Sequence, residues 1–209
     1  PIEAQIRGIN QSQINNKAGF TFSSALRSML RQDPDVLMVG EIRDNETAGI
    51  VSQAALTGHL VFSTLHTNDS VSAITRLVNL GVEPYLVAAT IRGVLAQRLV
   101  RKICPHCKEL WQGEDAIRAA CDGAEELWKG AGCSRCRGTG FAGRIGIFEL
   151  LVPNAELLDS ISRGDSLQSM RQKLVTDGHW LLRQDGIEKV RNGLTTPEEV
   201  LCVTQGNIQ

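Results

Sequence analysis

The chain has no excess of charge of either sign: lysine and arginine total 22 against 23 acidic residues, a formal net charge of −1. No strong field therefore draws it toward nucleic acid or an anionic lipid surface. It has no apolar run near the ~18 residues that a membrane span requires, and its amino terminus shows no signal-peptide pattern. A soluble, cytosolic protein is expected. Aromatic side chains are scarce, at 4% of the chain, so its basic residues are not interleaved with stacking groups as on many nucleic-acid surfaces. What the 209 residues do offer is length. They can bury roughly 70% of the unfolded surface, enough for one good core or two modest ones.

The most informative stretch is residues 33–68, DPDVLMVGEIRDNETAGIVSQAALTGHLVFSTLHTN. Residues 36–39 form a short apolar run without polar interruption, which predicts a strand buried on both faces. Gly40 ends it and Glu41 stands at its tip. The apolar run at 60–65 predicts a second strand, with His59 just before it and His66 at its end. Between them lies an alanine-rich helical segment that Asp44 or Asn45 can cap and Gly58 can stop. A β-α-β unit places both strand tips on one edge of a parallel sheet, so Glu41 and His66 are expected to face one crevice, where open α/β sheets hold ligands. A carboxylate there can hold a magnesium-bound water or orient an attacking one, and the histidine can sense a terminal phosphate. Taken singly, Glu41 reads as a surface partner of Arg43 and His66 as a satisfied loop histidine. Their joint arrangement favours the shared site.

The segment RQDPDVLMVGEIRD resembles the Walker B region of the secretion ATPases that drive type II secretion and type IV pilus assembly. TGHLVFSTLHTND resembles their His box, and the likeness continues through AQRLVRKICPHC and GRIGIFELL to the last helix. It implies an α/β fold containing part of a RecA-like core, with catalytic residues Glu41, His66 and His59 and nucleotide contacts at Gly40, Glu41 and Arg43. It also implies ATP and Mg2+ in the complete enzyme, a homo-hexameric ring, inner-membrane platform and anchoring proteins as partners, and a cytoplasmic location peripheral to that membrane. Relatives carry an acidic segment just before a Pro-Ile-Glu, so the chain is expected to begin inside their Asp box. Glu3 is then a remaining site candidate, weighed against a plain exposed strand glutamate.

Along the chain, the alternation of Ile2, Ala4 and Ile6 with polar residues predicts a half-buried strand, with a turn at 8–10. Thr21 or Ser23 caps a helix carrying Phe22, Leu26, Met29 and Leu30 on one face, and Asp33 with Pro34 ends it. Asn68 or Ser70 opens a helix bearing Val71, Ile74, Leu77 and Val78, closed by Gly81 and Pro84. Residues 84–102 read as one further helix, with Arg92, Arg98 and Arg101 on a solvated basic face.

The strongest metal signal follows. Cys104 with Cys107 and Cys133 with Cys136 form two C-x2-C pairs, 25 residues apart. Four thiolates close a tetrahedral shell with no open position, so a zinc ion here would be structural. Such a site can supply ~10 kcal/mol or more of folding free energy to a loop-rich insert. Two disulfides or four free thiols are the competing readings, which a cytosolic chain disfavours. Cys121 and Cys202 read as ordinary buried cysteines, and His106 as pointing to solvent.

Gly138, Gly140 and Gly143 spell G-x-G-x-x-G, but a cysteine pair precedes and a strand at 145–151 follows, where the dinucleotide fingerprint needs a strand and then a helix. They read as turn glycines. No G-x4-G-K-[ST] phosphate loop occurs in the 209 residues. Without it the chain is expected to be the carboxy-terminal part of a longer motor, hydrolysing negligible ATP alone. The tail predicts small helices, with capping boxes at Asp165 and Thr196. The implied blocks are 1–102 as the ATPase-core half, 103–143 as the zinc insert and 144–209 as a mostly helical subdomain. Two alternatives stand: a pilus-retraction motor, whose relatives generally lack the four cysteines, and a zinc-dependent binding module using Arg98, Arg101, Lys102, Lys108, Arg135, Arg137 and Arg144.

Overall fold

The computed structural model describes residue 2 and residues 4–113, 115–121 and 126–204; Glu3, a candidate above, lies outside them. The chain forms two compact units that interleave along the sequence. The first takes Pro1–His66, Ala73–Arg92 and Pro153–Met170, and the second takes Thr67–Ser72, Gly93–Val152 and Arg171–Gln209.

In the first unit, strand β1 (Val36–Val39) pairs in parallel with β2 (Leu60–Ser63), Val36 opposite Leu60 and Val39 opposite Ser63. Helix α1 (Phe22–Leu30) starts at Thr21, whose hydroxyl accepts from the Ser24 amide in a capping box. Helix α2 (Asn45–Leu56) starts at Asp44, whose carboxylate accepts from the Thr47 amide at 2.7 Å. Leu26, Leu37, Val39 and Ala54 form the core of this β-α-β unit. β1 is buried on one face only, against expectation: Leu37 and Val39 are 6% exposed, whereas Val36 and Met38 are 56% and 76% exposed. On that second face Leu60 and Phe62 also lie open among the described residues. An uninterrupted apolar run reports what a strand can tolerate on both sides, not what covers it.

Helix α3 (Ser70–Asn79) begins in the second unit and continues in the first. Its amino-terminal acceptor is Asp69, which receives the Ser72 amide at 2.7 Å, rather than Asn68 or Ser70. Residues 84–102 are not one helix. Helix α4 (Pro84–Thr90) stops short of Gly93, and β3 (Val94–Ile103) follows. The period is two up to Arg101, with Ala96 and Val100 buried while Leu95, Gln97 and Leu99 face out, and a register shift between Arg101 and Ile103 brings Ile103 back to the buried side. Leucines on the open face disguised that alternation. The expected strand near Ile2 is absent among the described residues; Ile6 and Ile9 are exposed, with no apolar surface to receive them.

In the second unit β3 pairs antiparallel with β6 (Phe141–Leu151), from Val94 opposite Leu151 to Ile103 opposite Phe141. The ribbon therefore closes over the residues between, which include the hairpin of β4 (Lys108–Trp111) and β5 (Leu127–Gly130) and the short helix α5 (Asp115–Ala120). Ala96, Val100 and Ile147 pack with Leu182, while Cys121, Leu127, Ile187, Val190 and Val200 form a second cluster. Helices α6 (Ala155–Arg163), α7 (Leu167–Thr176), α8 (Leu182–Arg191) and α9 (Pro197–Thr204) make the expected helical tail. The amide of Ser169 bonds Ser166 rather than Asp165 at the start of α7, because Asp165 is taken by Ser160 and Arg163. Cys121 is buried as expected and Cys202 is exposed, on the outer side of α9. Among the described residues no helix is long and apolar enough to cross a membrane.

Candidate functional site

Three hydrogen bonds fasten the ends of β1 and β2 together. Ser63 donates to the Val39 carbonyl at 2.8 Å, Thr64 to the Gly40 carbonyl at 2.7 Å, and the Ile42 amide to the Thr64 carbonyl at 3.1 Å. These bonds carry Glu41 and His66 to the same edge. One oxygen of Glu41 lies 3.4 Å from His66 Nε2 and the other 2.5 Å from an Arg43 amino group. The carboxylate is recessed, its side chain 21% exposed, while that of His66 is 89% exposed. The pair with Arg43 and the approach of His66 therefore coexist on one carboxylate. Arg43's hydrogen bond holds the Glu41 carboxyl below its ordinary range, desolvation opposes this, and the charges of Arg43 and His66 reinforce it. A carboxylate so placed is ionised and weakly basic. It suits holding a water or a metal-bound water more than removing a proton.

The structure does not bring His59 to this edge. It precedes β2 and so lies at the strand's opposite end, where Nδ1 meets the Ala54 carbonyl at 2.9 Å and the Thr57 hydroxyl at 3.2 Å. It closes the end of α2. Gly40 sits at the tip and contributes its carbonyl to Thr64.

In the second unit the four expected cysteines converge, all sulfur atoms lying within 4.8 Å of one another. Cys104 to Cys133 is 4.0 Å, Cys107 to Cys136 is 3.8 Å and Cys133 to Cys136 is 3.7 Å. Four sulfurs held at ~2.3 Å around one ion would be about 3.8 Å apart, so the donor set fits a tetrahedral thiophilic metal. Amides of Cys133 and Gly140 donate to Cys136 Sγ at 3.1 and 3.3 Å. Those amides, that of Cys133 foremost, pull the Cys136 thiol down to about 6, while burial pushes Cys107 up to about 12. Gly140 belongs to this turn: a Cβ on Gly130 would fall 2.1 Å from its carbonyl oxygen. Of the G-x-G-x-x-G glycines, Gly140 thus lets two backbones touch, while Gly138 and Gly143 take the positive φ of turns.

Two arginines expected on a solvated face are engaged internally. Arg98 donates to the Thr67 carbonyl at 2.6 Å and to Asn68 at 2.9 Å. Arg101 pairs with Glu199 at 2.6 Å and lies 4.1 Å from the centre of the Phe141 ring. Arg92 stays exposed beside the Ala89 carbonyl, and His106 is exposed and bonded to Arg135 at 2.9 Å. Sequence reasoning missed Asp69, Glu149 and Arg171: Arg171 grips the buried Asp69, and the buried Glu149 accepts from Ser70 and Leu182. An Asp one residue ahead of a helix start was a usable signal for the first; the other two had none.

Residues 1–202 match the family model for type II/IV secretion system proteins. The chain is 52% identical to the type IV pilus assembly ATPase PilB of Thermus thermophilus, over 98% of its own length and 24% of that protein. It is 50% identical to the type II secretion system protein E of Pseudomonas aeruginosa, over 98% of its length and 41% of the relative, and 48% identical to the type II secretion system ATPase E of Vibrio cholerae with the same coverages. Among solved structures, its fold is similar to the pilus retraction motor PilT with bound ADP, with a TM-score of 0.63 and 28% identity over 88% of this chain and 43% of that one. The Legionella pneumophila ATPase DotB gives the same TM-score at 26% identity over 89% of this chain and 42% of that one. The chain thus spans between a quarter and about two fifths of the length of the curated relatives it matches. On the family model and these identities together, it belongs to the type II/IV secretion system protein family.

Proposed function

We propose that this chain is the Walker B and His-box part of a hexameric motor that couples ATP hydrolysis to pseudopilus or pilus assembly. The observation that carries the reading is the meeting of Glu41 and His66 at adjoining strand tips, 3.4 Å apart. Bound Mg2+ and ATP would supply the electrophilic phosphorus and neutralise its charge, with the phosphate loop contributed by polypeptide outside these 209 residues. Glu41 orients the attacking water, Arg43 keeps it ionised, Gly40 leaves the tip clear, and His66 reports the terminal phosphate. The chain alone is inactive.

Residues 103–143 act as a structural zinc insert between core residues 1–102 and the mostly helical residues 144–209. Its ligands are Cys104, Cys107, Cys133 and Cys136, whose sulfur spacing supports the assignment. The complete motor works in the cytoplasm against inner-membrane platform and anchoring proteins. The high identity to assembly and secretion ATPases favours this over retraction, and the internal engagement of Arg98 and Arg101 argues against a nucleic-acid module.

In the intact protein, Glu41→Gln is expected to lower kcat by at least ~10²-fold with KM for ATP nearly unchanged, the pattern for a group acting in the transition state. Near-normal turnover by that variant rejects the role.

A further inference from the structure

Glu149, on β6, is 4% exposed, and among the described residues no cation pairs with it. Its carboxylate is held by donors instead. One oxygen accepts from both the amide (3.2 Å) and the hydroxyl of Ser70, and the other from the amide of Leu182 at 3.1 Å. Ser70 and Leu182 are the first residues of α3 and α8, so one buried carboxylate meets the amino-terminal ends of two helices. The first amides of a helix have no acceptor within that helix and carry partial positive charge, so a carboxylate is a suitable partner for both ends. The residue preceding α8 is Leu181, which has no side chain able to cap it. Glu149 supplies that acceptor from a strand.

The surrounding contacts extend the same hold. Arg98 on β3 grips the Thr67 carbonyl and the Asn68 side chain, and Arg171 on α7 grips Asp69 and the Ser72 hydroxyl. Thr67, Asn68, Asp69 and Ser70 are thus each bonded to a side chain of β3, β6 or α7. All of these residues belong to the second unit, whereas His66, one peptide bond earlier, belongs to the first and contacts Glu41.

We propose that Glu149 is a positioning residue for the ATPase, pinning the first turn of α3 so that the chain leaving His66 has one fixed course. The inference rests on the reading of Glu41 and His66 given above. The His box then has two roles. His66 serves the phosphate site, while Thr67 to Ser70 anchor it to the ribbon that also closes the cysteine insert.

The test uses the intact ATPase with Glu149→Gln, which keeps the shape but turns an amide donor toward existing donors, and Ser70→Ala as a milder companion. Glu149→Gln should lower kcat at least ~10-fold with KM for ATP within about 2-fold. Amide exchange followed by mass spectrometry should quicken at least ~10-fold in residues 66–72 and at the start of α8, and stay unchanged at the four cysteines. Ser70→Ala should reproduce both effects in smaller measure and covers the case in which Glu149→Gln does not fold. Faster exchange with undiminished kcat would reduce Glu149 to a structural cap and overturn the proposal, as would unchanged exchange. Wild-type protein that fails to hydrolyse ATP defeats the ATPase reading by itself, and the positioning role with it; the exchange pattern then decides only whether the pin exists.

Discussion

The strand-tip pair and the four-cysteine cluster are both small polar sites, yet they are held in opposite ways. Glu41 touches Arg43 and His66, whose side chains are 72% and 89% exposed, so its partners are free to be exchanged for a ligand. The cysteines turn inward, and main-chain amides of Cys133 and Gly140 hold Cys136. A side-chain partner can swing away, whereas an amide in a tight turn cannot. A ligand can enter at the first kind of site, whereas a closed thiolate shell suits the second.

Stripping the metal should give the largest effect. Elemental analysis should find one zinc per chain, and a strong chelator should remove on the order of 10 kcal/mol of binding and folding free energy from the insert. Trp111 and Trp128, on β4 and β5, would report the loss by fluorescence. Unchanged emission after complete removal would erase the contrast. A smaller effect is expected at Arg43. The folded carboxyl of Glu41 lies below its ordinary value of 4.5, so its contribution is complete above that value and disappears as pH falls through the lower folded one. Arg43→Ala should move the Glu41 titration upward in pH, measured by carbon-13 NMR of the carboxyl. An unmoved titration would show that another group sets it. The least effect is expected from His59→Ala, about 1 kcal/mol of stability for the lost bond to Ala54 with kcat unaltered. A large fall in kcat would return His59 to the strand-tip site.

Local features of the chain were legible where one residue type carries one function. Asp44 marked the start of α2, Thr21 that of α1, and the two C-x2-C pairs the cysteine cluster, because each signal is written within a few positions. The convergence of Glu41 and His66 was also readable, since a β-α-β unit determines which strand ends coincide. Period failed at β3, where Leu95 and Leu99 occupy the open face and imitate a helix stripe. His59 was grouped with His66 although a strand between them separates its two ends. Glu149 left no trace in the sequence, because its partners Ser70 and Leu182 lie 79 and 33 residues away. Such a contact exists only after the chain has folded.

The outer side of β1 and β2 has a practical consequence at the bench. Val36, Met38, Leu60 and Phe62 meet water there on a short two-stranded sheet, an apolar patch of the kind that makes concentrated samples associate and cloud. Hydrophobic dyes should stain the chain when it is prepared by itself. A lysine in place of Met38, the most open of the four, is the simplest remedy for keeping it dispersed.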